Sequence, residues 1–169
     1  LARDSLAVDA AIPTGSSPAA DQRGVARPKG PEDDLGAYEL SKIAVTNAND
    51  AGAGSLRQAI ADAEAGDLIE FQPSIAGPIN LTSGGFVIDK DLSFDAWRLP
   101  DGVSISINGG RVFEIRESVN VSMKRLAISG GVGDYGPGIF NAGTLTLLES
   151  TLSGNSGTYG GALMNWIGA

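Results

Sequence analysis

The side chains in this sequence whose type and spacing could support chemistry are three aspartates, Asp89, Asp91 and Asp95. Two carboxyl groups at a suitable separation form the acid/base pair of a glycoside hydrolase, and carboxylate oxygens also bind Ca²⁺. However, Asp89 and Asp91 flank a lysine where the sequence predicts a turn, and charged residues in turns are usually solvated. The pattern therefore favours a surface turn over a catalytic or calcium site.

The chain contains neither His nor Cys among its 169 residues. Histidine is the most common general base and metal ligand near neutral pH, and cysteine is needed for a disulfide or a thiolate metal site. The sequence consequently offers no residue that we assign to catalysis, to cofactor binding or to metal binding. It favours a protein that is not an enzyme, with a carbohydrate-active enzyme as the alternative.

A glycine-rich stretch, Gly131-Val-Gly-Asp-Tyr-Gly136, has the Gly-x-Gly-x-x-Gly spacing of dinucleotide-binding folds. That fingerprint needs a helix directly after it, whereas Pro137 and a further strand signal follow here. With Gly130, the stretch is also similar to calcium-binding nonapeptide turns. However, Asp134 stands one position too early for that motif, and Thr158 occupies the corresponding position 24 residues later. We therefore predict a loop between two strands, without a nucleotide or a calcium ion.

Two tyrosines, Tyr135 and Tyr159, stand 24 residues apart, which is the period of a sequence repeat described below. They could form an aromatic ledge for sugar rings, or they could stack on each other. Stacking is the favoured interpretation, because residues one repeat apart in a solenoid lie on neighbouring coils. The tryptophans, Trp97 and Trp166, follow no such pattern.

The elements that must position these side chains come from a repeat with a shift of 24 residues in the last third of the chain. Val121-Ser-Met returns as Leu145-Thr-Leu, and Tyr135-Gly-Pro-Gly-Ile-Phe-Asn141 returns as Tyr159-Gly-Gly-Ala-Leu-Met-Asn165. A period of roughly 20 to 50 residues is typical of a solenoid, in which each coil buries its apolar face against the next. Short alternating apolar runs, interrupted by Gly, Ser or Asn, predict three brief strands per coil.

Side-chain directions follow from the same alternation. In Gly143-Thr-Leu-Thr-Leu147 the leucines are predicted to point inward and the threonines outward. Asn141 and Asn165 should lie directly above one another, with their amides forming a ladder at a bend, since Asn tolerates the left-handed backbone.

The hydrophobic period changes near residues 55–65. One helical face carries Leu56, Ala59, Ile60 and Ala63. Ser55 is the predicted N-cap, and Gly66 is predicted to follow the last helical turn at the C′ position. A helix of about ten residues is not stable without packing, so we predict that it caps the open end of the first coil. Irregular coils then follow, with β-rich runs at 68–71, 78–81, 86–88, 92–94, 103–107 and 112–115.

Several of these motifs resemble known repeats. Gly136-Pro-Gly-Ile-Phe-Asn-Ala-Gly-Thr-Leu-Thr-Leu147, Ser150-Thr-Leu-Ser-Gly-Asn-Ser156 and Gly160-Gly-Ala-Leu-Met-Asn165 are similar to the repeats of bacterial parallel β-helix proteins and of chlamydial polymorphic outer-membrane proteins. The stretch from Val45-Thr-Asn-Ala-Asn-Asp50 through Gly54-Ser-Leu-Arg-Gln-Ala-Ile60 to Leu68-Ile-Glu-Phe71 resembles the start of β-helix proteins of the choice-of-anchor Q type. The resemblance implies an all-β, right-handed parallel β-helix that is secreted or displayed on a surface.

Residues 1–40 differ in composition, since they hold four of the 8 prolines and no sustained apolar period. Such a stretch is typical of a loop-rich linker. Ser5-Leu-Ala-Val-Asp-Ala10, Asp21-Gln-Arg-Gly-Val-Ala-Arg-Pro28 and Asp34-Leu-Gly-Ala-Tyr-Glu39 also resemble the closing segment of the same family, which implies the tail of a preceding unit. Residues 41–169 would then be the N-terminal part of a β-helix, and we expect further coils of a longer chain beyond them.

Composition limits the possible partners. A hydrophobic content of 42% is enough for a core, and the net charge of −8 argues against binding nucleic acid by neutralising phosphates. The sequence has no cluster of Lys and Arg for an anionic membrane surface and no apolar run long enough to span a bilayer.

These limits and the resemblance together lead to a functional expectation. We expect a structural display scaffold, located outside the cell or on a bacterial surface in association with the outer membrane. An adhesive role would make carbohydrate or host-surface ligands its partners. The alternative is a polysaccharide lyase or glycoside hydrolase with its site largely outside this chain.

Overall fold

Short parallel strands wind into a solenoid of about five turns in the computed structural model, which describes residues 41–166. One short helix lies near its N-terminus. The predicted all-β parallel solenoid is confirmed at this level. The predicted tail or linker of residues 1–40 lies outside the described residues. In chain order the elements are β1 Lys42–Val45, α1 Leu56–Asp62, β2 Leu68–Phe71, β3 Ile79–Leu81, β4 Phe86–Ile88, β5 Leu92–Asp95, β6 Val103–Ile107, β7 Phe113–Ile115, β8 Asn120–Lys124, β9 Leu126–Ser129, β10 Val132–Tyr135, β11 Ile139–Asn141, β12 Thr144–Leu148, β13 Thr151–Ser153, β14 Ser156–Tyr159 and β15 Leu163–Asn165.

Three long sheets run along the solenoid. The first sheet has the order β1-β2-β5-β8-β12, the second β3-β6-β9-β13, and the third β4-β7-β11-β15. Each coil from β2 onward contributes one strand to each of these sheets. The prediction of three strands per coil, made for the last two coils, is wrong there, because each of them has four. The registered pairings from β2 onward are parallel. Parallel stacking of this kind satisfies the backbone hydrogen bonds without crossover helices.

A fourth strand in each of the last two coils was not predicted. β10 pairs with β14 in a separate short sheet, so the stretch from Gly131 to Gly136 is largely a strand and the predicted loop is wrong. Gly and Asp disfavour strands in general, which is why the sequence indicated a loop. Here the extended backbone finds hydrogen-bond partners one coil away, as when Ser156 N–H donates to the Gly131 carbonyl over 2.8 Å.

The register of the last two coils agrees with the sequence repeat. Asn141 pairs with Asn165 and Tyr135 with Tyr159, which confirms the shift of 24 residues. Earlier coils are irregular, as predicted, with register shifts from 23 residues, between Val103 and Leu126, to 29 residues, between Leu92 and Val121. Ser106 bonds to Asn80 across 26 residues and Ser122 to Ser93 across 29 residues, because their connecting turns differ in length.

The core fills the space enclosed by the sheets. Phe94 and Phe113 are among its largest fully buried side chains, and the Phe113 ring centroid lies 5.2 Å from that of Phe86 and 6.0 Å from that of Phe94. Burying one such side chain stabilises a fold by about 1.5 to 3 kcal/mol. In the last coil, Leu145 and Leu147 point toward this core while the neighbouring threonines are exposed, as predicted.

The helix begins as predicted and ends earlier than predicted. Its N-cap is Ser55, whose hydroxyl accepts a hydrogen bond from the Gln58 amide. It ends at Asp62, and Ala63 already has an extended backbone with φ −67° and ψ 144°. Gly66, predicted to end the last turn, lies beyond the helix and has φ +95°.

A lysine from the first coil explains the early end of the helix. Lys90 Nζ donates hydrogen bonds to the carbonyls of Ile60 and Ala63, at 3.2 and 2.7 Å. These carbonyls lie at the C-terminal end of the helix, where a cation also interacts favourably with the helix dipole. Because Lys90 satisfies them, no glycine is needed at this position.

Candidate functional site

The three aspartates that could have formed an acidic site serve contacts between coils or face solvent. Asp91 Oδ1 accepts a hydrogen bond of 2.7 Å from the Asn120 backbone and also contacts the Asn120 amide. Asp95 accepts the Trp97 backbone N–H at 2.9 Å and lies 3.8 Å from Lys124 Nζ.

The third of these aspartates, Asp89, is exposed. The hydrogen bond of Asp91 to Asn120 and the ion pair of Asp95 with Lys124 direct these two carboxylates to the neighbouring coil. Among residues 41–166, no group of three or more His, Cys, Asp or Glu side chains is arranged to hold a metal ion.

The glycine-rich stretch has the surroundings of a strand and lacks those of a phosphate-binding loop. Pro137 and Gly138 follow it and lead directly into β11, so no helix N-terminus points at it. Asp134 Oδ1 accepts a hydrogen bond of 3.1 Å from the Thr158 hydroxyl one coil later. The carboxylate considered for calcium thus links two coils.

The asparagine ladder forms as predicted, although not with the backbone that we predicted. Asn141 is buried, its Nδ2 donates to Asn165 Oδ1 over 3.0 Å, and its Oδ1 accepts the Gly143 N–H at 3.2 Å. Asn141 ends a strand and does not have a positive φ. Apart from glycines, the residues of these two coils with a left-handed backbone are Arg125 with φ 59° and Glu149 with φ 49°.

The side chains of these two left-handed residues pair across the coils. Arg125 Nε lies 2.7 Å from Glu149 Oε2. The hydrogen bond from Arg125 and its positive charge lower the pKa of the exposed Glu149 carboxyl. The pair stands at the turn from the first to the second sheet, so it too joins neighbouring coils.

Tyr135 and Tyr159 stack, as predicted. Their ring centroids are 5.1 Å apart with an interplanar angle of 8°, and the residues are 47% and 55% exposed. The facing sides of the two rings cover each other. A sugar ring can therefore contact only the edges or the outer faces of this stack.

A second aromatic pair, Phe140 and Trp166, lies on the outside of the third sheet. The two ring centroids are 6.3 Å apart, and the Arg111 guanidinium carbon lies 4.7 Å above the Phe140 ring. Arg111 Nη2 also donates to the Tyr135 carbonyl over 2.9 Å. Together with the tyrosine stack, these residues form what we call the aromatic patch: Arg111, Tyr135, Phe140, Tyr159 and Trp166.

The sequence did not predict the Phe140 and Trp166 contact. The register pairs Phe140 with Met164, so Trp166 reaches Phe140 diagonally from two residues further along. Among the aromatic residues, only Tyr135 and Tyr159 stand 24 residues apart. The alternation along β11, with Phe140 between buried Ile139 and Asn141, was the available signal that this ring faces outward.

Two clefts border the aromatic patch. A cleft of about 310 Å³ is lined by Arg111, Tyr135, Phe140 and Trp166. A second cleft of about 410 Å³ is lined by Glu114, Ile115, Arg116, Glu117, Phe140, Ala142 and Trp166. Glu114 links the polar parts of both, since its carboxylate oxygens bind Arg111 Nη1 at 2.5 Å and Arg116 Nη1 at 2.9 Å.

Another cluster surrounds Glu70 at the first sheet. Trp97 Nε1 donates to Glu70 Oε1 at 3.0 Å, while Arg98 Nε and Gln72 Nε2 lie 3.0 Å from Oε2. The Arg98 guanidinium also lies over the Trp97 ring. Both carboxylate oxygens of Glu70 are therefore engaged by protein groups, and the cluster has the character of a structural contact.

Asp50 and Arg57 fasten the segment before the helix to the first coil. Asp50 Oδ2 accepts hydrogen bonds from the backbone of Thr82 and Ser83 and from the Thr82 hydroxyl, and its Oδ1 lies 2.7 Å from Arg57 Nη2. Burial by itself raises the pKa of the Asp50 carboxyl, but the hydrogen bonds from Arg57, Ser83 and Thr82 outweigh it and hold that pKa well below its ordinary value. Asp50 therefore remains charged at neutral pH.

No protein-family model matches this chain, and neither do the curated proteins or the solved structures. Among residues 41–166, no helix has the length and apolar character needed to cross a membrane.

Proposed function

We propose that this chain is a display scaffold on a bacterial surface, built as a right-handed parallel β-helix of the choice-of-anchor Q type. The observation that carries the proposal is the use of its acidic side chains. Asp91, Asp95 and Asp134 each bind a residue of the neighbouring coil, so the groups that an active site would need maintain the stack. The motif resemblance supports the handedness, the family and the surface location.

The helix acts as the N-terminal cap in this proposal. Leu56, Ala59 and Ile60 are buried in the same core as the coils. Arg57 donates to the carbonyl of Gly84 at 2.6 Å and lies 4.9 Å from the centroid of the Phe86 ring in the first complete coil. These contacts hold the apolar face of the helix against the end of the core, where water would otherwise reach it.

The opposite end of the solenoid fits a further coil of the same longer chain as its partner. Leu145 and Leu147 are half-buried, whereas Val121 and Met123, their register partners one coil earlier, are fully buried. A coil with inward apolar residues at the same positions would complete this burial.

The surface location can be tested on intact cells that produce this chain. A membrane-impermeant biotinylation reagent that reacts with amines should label the chain before lysis, and a cytoplasmic protein of the same cells serves as the control. Labelling of the chain only after lysis would contradict display.

An activity assay tests whether this chain itself holds an active site. We expect incubation with polygalacturonate and with neutral glycans to release neither reducing ends nor unsaturated products. Turnover that is abolished in Asp91→Ala, with an unchanged circular dichroism spectrum, would show that the chain is an enzyme instead.

A further inference from the structure

We propose that the aromatic patch is a binding site for a neutral oligosaccharide. This proposal rests on the display function proposed above and names the ligand class that the displayed surface would bind. The patch is the part of the described chain where aromatic rings, charged planar side chains and two clefts come together. The aspartates discussed above contribute nothing to it.

The first argument is the exposure of the rings. Tyr135, Tyr159 and Trp166 are each about half exposed, with Trp166 at 49%, although aromatic side chains gain much from burial. Exposed apolar groups that lie together mark a contact surface more often than isolated ones do. Tyr and Trp combine an apolar face with a polar group, which suits a ligand whose ring has apolar C–H faces and polar hydroxyl edges.

The second argument is the arrangement of polar groups around the rings. Glu114 holds Arg111 and Arg116 in place beside Phe140 through two salt bridges, and the half-exposed Arg116 keeps further N–H donors for a ligand. Prearranged N–H donors beside an apolar ring match the hydroxyl oxygens of a sugar, which accept hydrogen bonds.

The charge balance selects a neutral ligand. Arg111 and Arg116 are matched by Glu114 and Glu117 in the lining of the clefts, and the whole chain carries a net charge of −8. An anionic glycan would meet no excess of positive charge at the site and would be repelled by the rest of the molecule. A neutral oligosaccharide meets neither obstacle.

A protein partner fits the patch less well. Glutamate is depleted at protein interfaces, whereas Glu114 is the register partner of Phe140 and pairs with Arg111 here. The clefts, at about 310 and 410 Å³, are within the range of small-ligand pockets. One or two sugar rings are ligands of that scale.

The test uses the fluorescence of Trp166. The chain has only 2 tryptophans, so Trp97→Phe leaves Trp166 as the sole indole. We expect titration of this variant with cellohexaose, maltohexaose, mannohexaose and chitohexaose to give a saturable change in Trp166 emission for at least one of them. The response should be insensitive to added salt, because the ligand is neutral.

Matched substitutions locate the binding site. Phe140→Ala in the same background should weaken binding by about tenfold or more, as expected for an aromatic residue at the centre of a contact. Val87→Ala is the control, since Val87 is 49% exposed on the same sheet but lines neither cleft. Its affinity should stay within about twofold of the parent, as for residues outside a binding hot spot.

Two results would overturn the proposal. One is the lack of any Trp166 response to the whole set of oligosaccharides. The other is a change in Trp166 emission that depends on protein concentration alone, which would mean that the patch contacts protein. Both leave surface labelling of the chain unaffected, so failure of this proposal is distinguishable from failure of the display function.

Discussion

Single side chains join one coil to the next throughout the described part of this protein. Asn141 bonds to Asn165, Tyr135 stacks on Tyr159, and Asp134 accepts a hydrogen bond from Thr158. The asparagine and tyrosine contacts could be predicted, because identical residues one period apart must meet in a stacked solenoid. The Asp134 contact joins two different residue types, for which the repeat gives no expectation.

Asn141→Ala tests the ladder. The substitution removes the bonds to Asn165 and to the Gly143 backbone at a buried position, so we expect the free energy of unfolding to fall by about 1 to 3 kcal/mol. Asn165→Ala is the matched control on the exposed coil and should cost less, since Asn141 keeps its bonds to Gly143. Urea denaturation of the three proteins provides the comparison, and equal losses for both variants would argue against a buried ladder.

The charged carboxylate of Asp50 stabilises the folded protein to an extent that depends on pH. Because its pKa in the folded state lies below the ordinary value of 3.8, the charged carboxylate stabilises the fold fully above that value. The contribution is lost as the pH falls from there through the lowered pKa. Asp50→Asn should therefore be about 1 to 3 kcal/mol less stable than the wild type at pH ~7, with the difference shrinking below pH ~4. Denaturation at several pH values measures this difference in the free energy of unfolding. A difference that grows as the pH falls would contradict the prediction.

At the scale of elements, the sequence located the strands well and the helix end poorly. The six β-rich runs between 68 and 115 all coincide with observed strands, from β2 to β7. Short apolar runs bounded by turn residues are a local signal. The end of α1 depends instead on Lys90, which is distant in sequence, and the strand β10 depends on a partner one coil later. Neither can be recognised from local composition.

Ile60→Ala tests the packing of the helix. Ile60 is nearly buried within the core, so the truncation should cost about 2 to 5 kcal/mol, as at other buried sites. Gln58→Ala, on the exposed side of the same helix, is the control and should change stability by no more than about 0.5 kcal/mol. Chemical denaturation distinguishes a buried cap from an exposed helix, for which both variants would give similar small changes.

At the scale of the whole molecule, the period of the sequence predicts the solenoid but not every register. Where the repeat is regular, as between β11 and β15, the sequence shift alone gives the pairing. In the earlier coils the turns vary in length, so the pairing of Phe86 with Phe113 follows from the structure and not from any repeat. The aromatic patch arises at this scale too, since its residues come from three coils.

The parallel stack with its 24-residue register is the central claim, and engineered cysteines test it most directly, because the chain has 0 native Cys. Ser129 and Ser153 are register partners on the second sheet, so their Cα atoms lie about 4.8 Å apart, within disulfide range. Ser129 and Thr151 are offset by two residues and lie about 8 Å apart, beyond that range. Under mild oxidation, Ser129→Cys with Ser153→Cys should lose both thiols within one chain, whereas Ser129→Cys with Thr151→Cys should keep them. Equal loss in both variants, or faster loss in the offset variant, would contradict the register and with it the stacked coils.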